Sequence, residues 1–446
     1  MQPPVANQFA LLGTRRFLPL FLVQFLGAFN DQVYQKAFVA LVTYRLAERV
    51  GADVAMLGVI ASALFILPFA VVTPTAGQLA DRVDKAVMMR WVKAWEVVVM
   101  GLAVVGYHIE SIGFLYFVLF LMGAQSAVFA PIKYSVLPHY LSARELLGGN
   151  GLVQGSTFVA ILFGTILGNE LILTEHGVAV VSAVVVAVAV AGFVASLFAP
   201  PVPPAGALRP VDWLFPRAIW QLLRIVVRQR AAFGVVVLIS WFWFLGATFL
   251  SLLPAYTRDT LGGDQGVLTV LLTAFSVGVA IGALLVERLG RGEVSLRLAP
   301  IGALGLAVMA IEFWFATPDR PLAAAPALVD RAGFFATPAG WRITVDFVVI
   351  AAFAGLYVTP LNAVLQALAP RRRRARYIAA ANVVDATLIV LSAALSGGLL
   401  ALGLAPGDIL VLLTLTGFPV ALATARQLPG SRLGRLAATI WPPGPQ

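Results

Sequence analysis

Twelve stretches of the chain are each long and apolar enough to cross a bilayer: near residues 17–46, 54–76, 90–108, 112–137, 151–173, 177–199, 231–254, 266–287, 296–316, 343–366, 377–402 and 408–425. A bilayer core about 30 Å thick offers backbone groups no water, so a crossing segment needs about 20 mainly apolar residues in a self-satisfied helix. Twelve such runs in 446 residues leave little chain for anything else. Charged residues make up 12% of the chain, whereas soluble domains carry about 25%. Valine-rich runs such as 181–191 are too continuous for the alternating strands of a membrane barrel, so helices are expected throughout. The first run exceeds a signal peptide's apolar region, lacks a small-residue cleavage site after it and is polar at mid-depth, so it is expected to be retained.

Lysine and arginine set the expected orientation, because short cytoplasmic loops collect them. With the N-terminus in the cytoplasm, twenty-four of them fall on inner segments and helix ends, among them Arg15, Arg16, Arg82, Lys85, Arg90, Lys93 and five arginines between 371 and 376. Six fall outside, and Lys36 lies within a span. Both termini are therefore expected in the cytoplasm. This distribution accounts for the net charge of +10 through anionic inner-leaflet lipid, with no nucleic-acid partner. The chain has no cysteine, so disulfide and thiol chemistry are excluded.

Residues 200–230 separate the sixth and seventh runs. Their proline-rich start reads as a linker, and the rest as an amphipathic helix with Arg217, Gln221, Arg224 and Arg228 on one face. Trp213, Phe215, Ile219, Leu222 and Val226 would then meet lipid at the inner interface; a solubilising connector fits the same residues. The flanking halves share short matches in one order: "LGA" at 26–28 and 245–247, "GQLADR" at 77–82 with "GALLVER" at 282–288, "PIKYSVL" at 131–137 with "PLNAVLQ" at 360–366, and polar openings at Asn150/Gln154 and Asn382/Asp385. The expected fold is an all-α polytopic membrane protein: twelve transmembrane helices in two pseudo-symmetric six-helix bundles, 1–199 and 231–446, joined by the 200–230 linker.

"GQLADRVDK", 77–85, resembles the loop signature of the major facilitator superfamily and sits in the expected loop between spans two and three. "QFLGAFNDQ" (24–32), "SAVFAPIKYSVLP" (126–138), "ELLGGNGLVQGSTFVAILFGTILG" (145–168) and "TPLNAVLQ" (359–366) narrow the resemblance to the bacterial lysophospholipid transporter family. The resemblance implies carriage of lysophospholipid, such as lysophosphatidylethanolamine, across the inner membrane for reacylation, with a separate acyltransferase as a partner. It also implies that the loop bearing Asp81 and Arg82 is a conformational latch, so these two are gating candidates. The chain departs from the family at Gln154, where glutamate is usual, at Gln32 for asparagine, at Lys36, about one position late, and at Asp385 for glutamate.

A charge at mid-bilayer costs about 3 kcal/mol on insertion scales, so Asp31, Lys36, Lys133 and Asp385 are expected to face the bundle interior. Residues 24, 31 and 35 are spaced by seven and four and share a helix face, which would line a wet cavity. Lys133 is the candidate for the lipid phosphate, and Asp31 or Asp385 for a cationic head group. Gln24, Asn30, Gln154, Asn362, Gln366 and Asn382 would bond ester and hydroxyl oxygens. Phe129, Phe158 and "WFWFL" at 241–245 are candidates for the acyl path, although such residues also serve plain packing. Asparagine and glutamine at helix contacts equally serve as glue.

A proton-coupled exporter of amphipathic drugs is the alternative on the same fold, with Asp31 as proton carrier. Catalysis is not expected: Gly113, Arg144 and Val181 stand five positions beyond His108, His139 and His176, where an acyltransferase base pair needs aspartate. No metal-spaced cluster and no phosphate-binding glycine loop appears, so neither metal nor cofactor is expected.

Overall fold

A computed structural model describes residues 7–42, 54–204, 211–317 and 328–427, with the side chains of 54–59 and 62 excepted. All regular structure among these residues is helical, apart from one isolated bridge between Gly263 and Val329. Each of the twelve apolar runs carries a helix. The first half comprises α1 (Leu18–Leu41), α2 (Val54–Val71), α3 (Thr73–Ala80), α4 (Lys85–His108), α5 (Ile112–Tyr140), α6 (Leu146–Ile172) and α7 (Gly177–Leu197). The linker forms α8 (Phe215–Arg228), which leads into α9 (Arg230–Ala255), α10 (Gln265–Gly290), α11 (Ala299–Ala316), α12 (Arg331–Phe335), α13 (Pro338–Leu368), α14 (Arg374–Ala401), α15 (Pro406–Thr414) and α16 (Gly417–Arg426).

Local chemistry sets the helix ends. Asp84, Ser111, Asp264 and Asp330 each cap a helix by accepting backbone N–H bonds from its first turn. Pro68 inside α2 and Pro74 at the start of α3 break the second span, and its two pieces are bent by 47°.

Nine helices among the described residues are long and apolar enough to cross a membrane, and the bent α2–α3 pair makes a tenth. Helices α1 and α4 fall short of that apolarity because of polar residues that they turn inward. On α4, Lys93 and Glu96 are buried, while Trp91, Trp95, Val98 and Val105 form an exposed stripe at helical spacing. Ile301, Leu304, Val308 and Ile311 make the same outward stripe on α11. Apolar side chains at such positions belong against lipid tails.

The chain forms two compact units. The first comprises Met1–Glu145, Val159–Ala232 and Gln366–Ala386; the second comprises Leu146–Phe158, Phe233–Leu365 and Thr387–Gln446. In the first, α1 packs on α7, α4 on α5 and α7, and α2 on α5. Two fully buried tyrosines lock its core: Tyr34 donates to the Leu115 carbonyl at 2.8 Å, and Tyr107 to the Tyr34 carbonyl at 3.0 Å. In the second unit, Phe249 packs on Phe275 and Phe347, and Phe313 on Phe347 and Tyr256. Trp241 donates to Thr416 and stacks edge-on against Tyr357, so this part of "WFWFL" is tied into core packing.

Two expectations are corrected here. Leu222 and Val226 of α8 turn inward with Ala218 and are buried in the first unit, because protein offers that face a closer fit than a lipid surface. Lys93, counted among the inner-side anchors, is fully buried in α4.

Candidate transport site

The first unit places one polar network inside its apolar core. Glu96 is buried and takes three donors: Asn30 Nδ2 of α1 to Oε1 at 3.1 Å, and Lys93 Nζ and Gln125 Nε2 to Oε2 at 2.5 and 2.8 Å. Lys93 sits three residues before Glu96, on the same helix face. Its ammonium fills the space above Gly27 of α1, where any Cβ would lie 2.5 Å from Nζ, and approaches the Phe129 ring at 5.4 Å. A side chain at 27 would require the Lys93 ammonium to shift from this position. An ammonium and two amides thus satisfy this carboxylate's oxygens and fix its orientation, as burial of polar groups requires.

Asp31 lies beside that network. Ser126 Oγ of α5 is 2.5 Å from Asp31 Oδ2 and 3.0 Å from Gln125 Oε1, so one hydroxyl stands between the carboxylate and the Glu96 hub. Neighbours in sequence thus part company: Asn30 turns to α4 and Asp31 to α5. The charges of Glu96, Lys93 and Lys133 all act on Asp31. Lys133 is half-buried on α5, its ammonium 4.8 Å from the Tyr134 ring centre, and it has no hydrogen-bond acceptor or ion-pair partner among the described residues. Asp31 is thus bonded by Ser126 and Lys133 has no bonded partner among the described residues, and neither takes part in the Glu96 ion pair.

The other candidates divide between the units. Gln24, Gln366 and Asp385 are buried in the first unit, where Asn382 Nδ2 is buried with no hydrogen-bond partner. Lys36 packs its stem near Gly168 of α6 and has no hydrogen bond or ion pair among the described residues. Gln154 is buried in the second unit, and there Asn362 donates to its own helix at the Val358 carbonyl, 3.2 Å away. Phe158 packs on Phe275.

The loop signature forms a second polar centre. Gly77 lets α3 meet α14 closely, for a Cβ there would stand 2.4 Å from the Ala379 methyl. Asp81 then accepts the Ala375 N–H at 3.0 Å in the first turn of α14, with Arg376 Nε 3.5 Å from its other oxygen. The base beside Asp81 is thus Arg376; Arg82 is exposed. Burial pushes the Asp81 carboxyl up from 3.8 to about 6, against the opposing pull of the Ala375 N–H, Lys85 and Arg376. The arginine run divides too: 371–373 are exposed, whereas Arg374 is buried and donates to the Gln366 carbonyl at 3.0 Å.

Sequence reasoning missed Lys93, Glu96, Gln125 and Ser126 as partners of α1. The available signal was the i,i+3 spacing of Lys93 and Glu96 opposite the Trp91/Trp95 stripe, which places an ion pair on the inward face of a lipid-facing helix.

The family profile of the Major Facilitator Superfamily matches residues 20–393. The chain belongs to that superfamily. Within it, this superfamily member is similar to the lysophospholipid transporter LplT of Serratia proteamaculans (strain 568), with 30% identity over 373 residues, 82% of this chain and 83% of the relative. LplT of Yersinia enterocolitica (serotype O:8 / biotype 1B) is 28% identical over 363 residues, 80% of each chain. By these likenesses it is also a member of the lysophospholipid transporter family. The crystal structure of the human organic anion transporter MFSD10 (TETRAN) matches the fold with a TM-score of 0.70 at 13% identity, over 91% of this chain and 99% of that one. This superfamily member is a multi-pass membrane protein of the major facilitator fold.

Proposed function

We propose that the protein carries lysophospholipid across the bacterial inner membrane by alternating access, supplying a separate acyltransferase. The observation that carries this reading is the pair Asp31 and Lys133: two half-buried opposite charges that feel each other, with Lys133 lacking an acceptor among the described residues. A lysophospholipid head group is an anionic phosphate, often with an ammonium. Lys133 takes the phosphate and Asp31 the ammonium, in surroundings where low dielectric strengthens both contacts. Glu96 does not compete for the ammonium, because Lys93, Gln125 and Asn30 already occupy it. Gln24, Gln366, Asn382 and Asp385, in the same unit as Asp31 and Lys133, supply further polar contacts. Asp81 and its partner Arg376 act in gating, with Arg82 beside them. The likeness to proteins named lysophospholipid transporters supports the same substrate class.

The test is uptake of labelled lysophosphatidylethanolamine into spheroplasts lacking their own carrier, with the wild-type protein and with Lys133→Ala. Uptake that requires the protein and falls at least tenfold in Lys133→Ala, equivalent to about 1.4 kcal/mol or more, is the expected result. Unchanged uptake in the variant removes the phosphate site, and no uptake by the wild type removes the substrate.

A further inference from the structure

Helix α8 is fastened to the first unit at both ends. At its start, the Asp212 N–H donates to Gln78 Oε1 of α3 at 3.0 Å, and the Asp212 carboxylate accepts from Gln221 at 2.8 Å. At its end, Gln229 donates to the Leu368 carbonyl, the last residue of α13, at 3.3 Å and accepts from Tyr377 of α14 at 2.6 Å. Ala218, Leu222 and Val226 cover the protein. The outer face is held in one orientation and left bare.

That bare face has two adjacent stripes. Trp220 and Val227, seven residues apart on the helix, are 67% and 50% exposed, and Trp213, two residues before the helix begins, is 75% exposed. Arg217, Arg224 and Arg228, spaced seven and four, run beside them and are exposed. Arg217 pairs with Asp212 at 3.2 Å, but Arg224 and Arg228 have no carboxylate partner among the described residues. The bonds of Gln229 bring a second basic group to the same end, the exposed turn Arg371–Arg373, likewise without a carboxylate partner among the described residues.

We propose that this face is a seat for anionic phospholipid head groups at the membrane surface. Depth supports it: Gln229, the bend between α8 and the spanning helix α9, bonds the terminal carbonyl of the spanning helix α13, so the end of α8 lies level with that helix end. Indole rings partition to that depth, where one edge meets tails and the N–H meets head groups. Guanidinium groups bind phosphate through paired donors, and five of them without carboxylates complement an anionic leaflet. The occupant is anionic phospholipid, with phosphatidylglycerol as the probe. The assignment holds whatever substrate the protein carries.

The absence of cysteine makes the test direct, since Trp220→Cys provides a single labelling site in the full chain. A fluorophore that reports polarity is attached there, and the protein is placed in phosphatidylcholine vesicles with or without phosphatidylglycerol. The expected result is a severalfold loss of quenching by aqueous iodide when phosphatidylglycerol is present, together with quenching by lipids brominated near the head group. Arg224→Gln with Arg228→Gln removes that dependence on phosphatidylglycerol. Trp213→Cys gives an independent second site should the first variant misfold. A label equally open to iodide in both vesicle types overturns the proposal. Shielding that follows protein density and ignores lipid charge also overturns it and gives the face to a second copy of the chain.

Discussion

The interiors of the two units are built from different materials. The first buries an ion pair, two amides and a hydroxyl around Glu96, whereas the second fills its core with Phe249, Phe275, Phe313, Phe347 and Tyr256. An aromatic cluster contributes through area and contact and tolerates loss in proportion to the volume removed. A polar network in an apolar core behaves otherwise: complete, it fixes one geometry, and with one member missing it leaves an uncompensated charge. Under the proposed function, the polar network of the first unit is the part that discriminates head groups.

The largest expected effect tests the polar side of this contrast. Glu96→Ala leaves the Lys93 ammonium buried and unpaired, which should destabilise the protein by about 3–5 kcal/mol. Thermal unfolding in detergent should then show little folded protein, and the double variant Lys93→Met, Glu96→Leu should restore most of it. If the double variant is no better than the single, the pair is not the organising contact of the network. Phe347→Ala is the matching test in the second unit. It should cost about 3 kcal/mol by cavity formation, with Phe347→Leu milder at about 1.5 kcal/mol or less, a graded series that the ion pair should not show.

Asp31→Asn should sharpen the division between fold and function. The amide keeps an oxygen for Ser126 and loses the charge, so melting should shift by less than about 1 kcal/mol, while transport of lysophosphatidylethanolamine falls at least tenfold. Equal loss of stability and transport would return Asp31 to a purely structural role.

The smallest effect concerns Asp81. Because burial raises the Asp81 carboxyl from 3.8 to about 6, the folded protein binds this proton more tightly than the unfolded chain does. Its contribution to stability is therefore full below about pH 4 and declines as pH rises to about 6. Asp81→Asn, neutral at every pH, should flatten the dependence of melting temperature on pH within that window. A slope unchanged by the substitution would assign the titration to another group.

The all-helical fold was legible because twelve apolar runs admit few other structures, and the family was legible in the loop signature and four short stretches. The partners of the site were less so. Asn30 and Asp31 are adjacent in sequence and about 100° apart on a helix, and nothing in α1 alone says that one meets α4 and the other α5. Lys93 looked like an anchor because charge counting treats every lysine near a helix end alike; its ammonium lies over Gly27 of another helix, which the sequence of α4 does not show. The α8 face was misjudged for a related reason. An amphipathic pattern gives the apolar side of a helix but not whether protein or lipid covers it, and Leu222 and Val226 went to protein. Asp81 was recognisable as a carboxylate at a helix end, yet Arg376 as its neighbour depends on close approach at Gly77, visible only in three dimensions.

Ser126 has one proton and two acceptors within reach. Under the proposed function, a ligand ammonium that displaced the Ser126 hydroxyl from Asp31 would free that proton to turn towards Gln125, whose amide holds Glu96. Occupancy of Asp31 would then be written as the direction of a single O–H bond, one amide away from the buried ion pair.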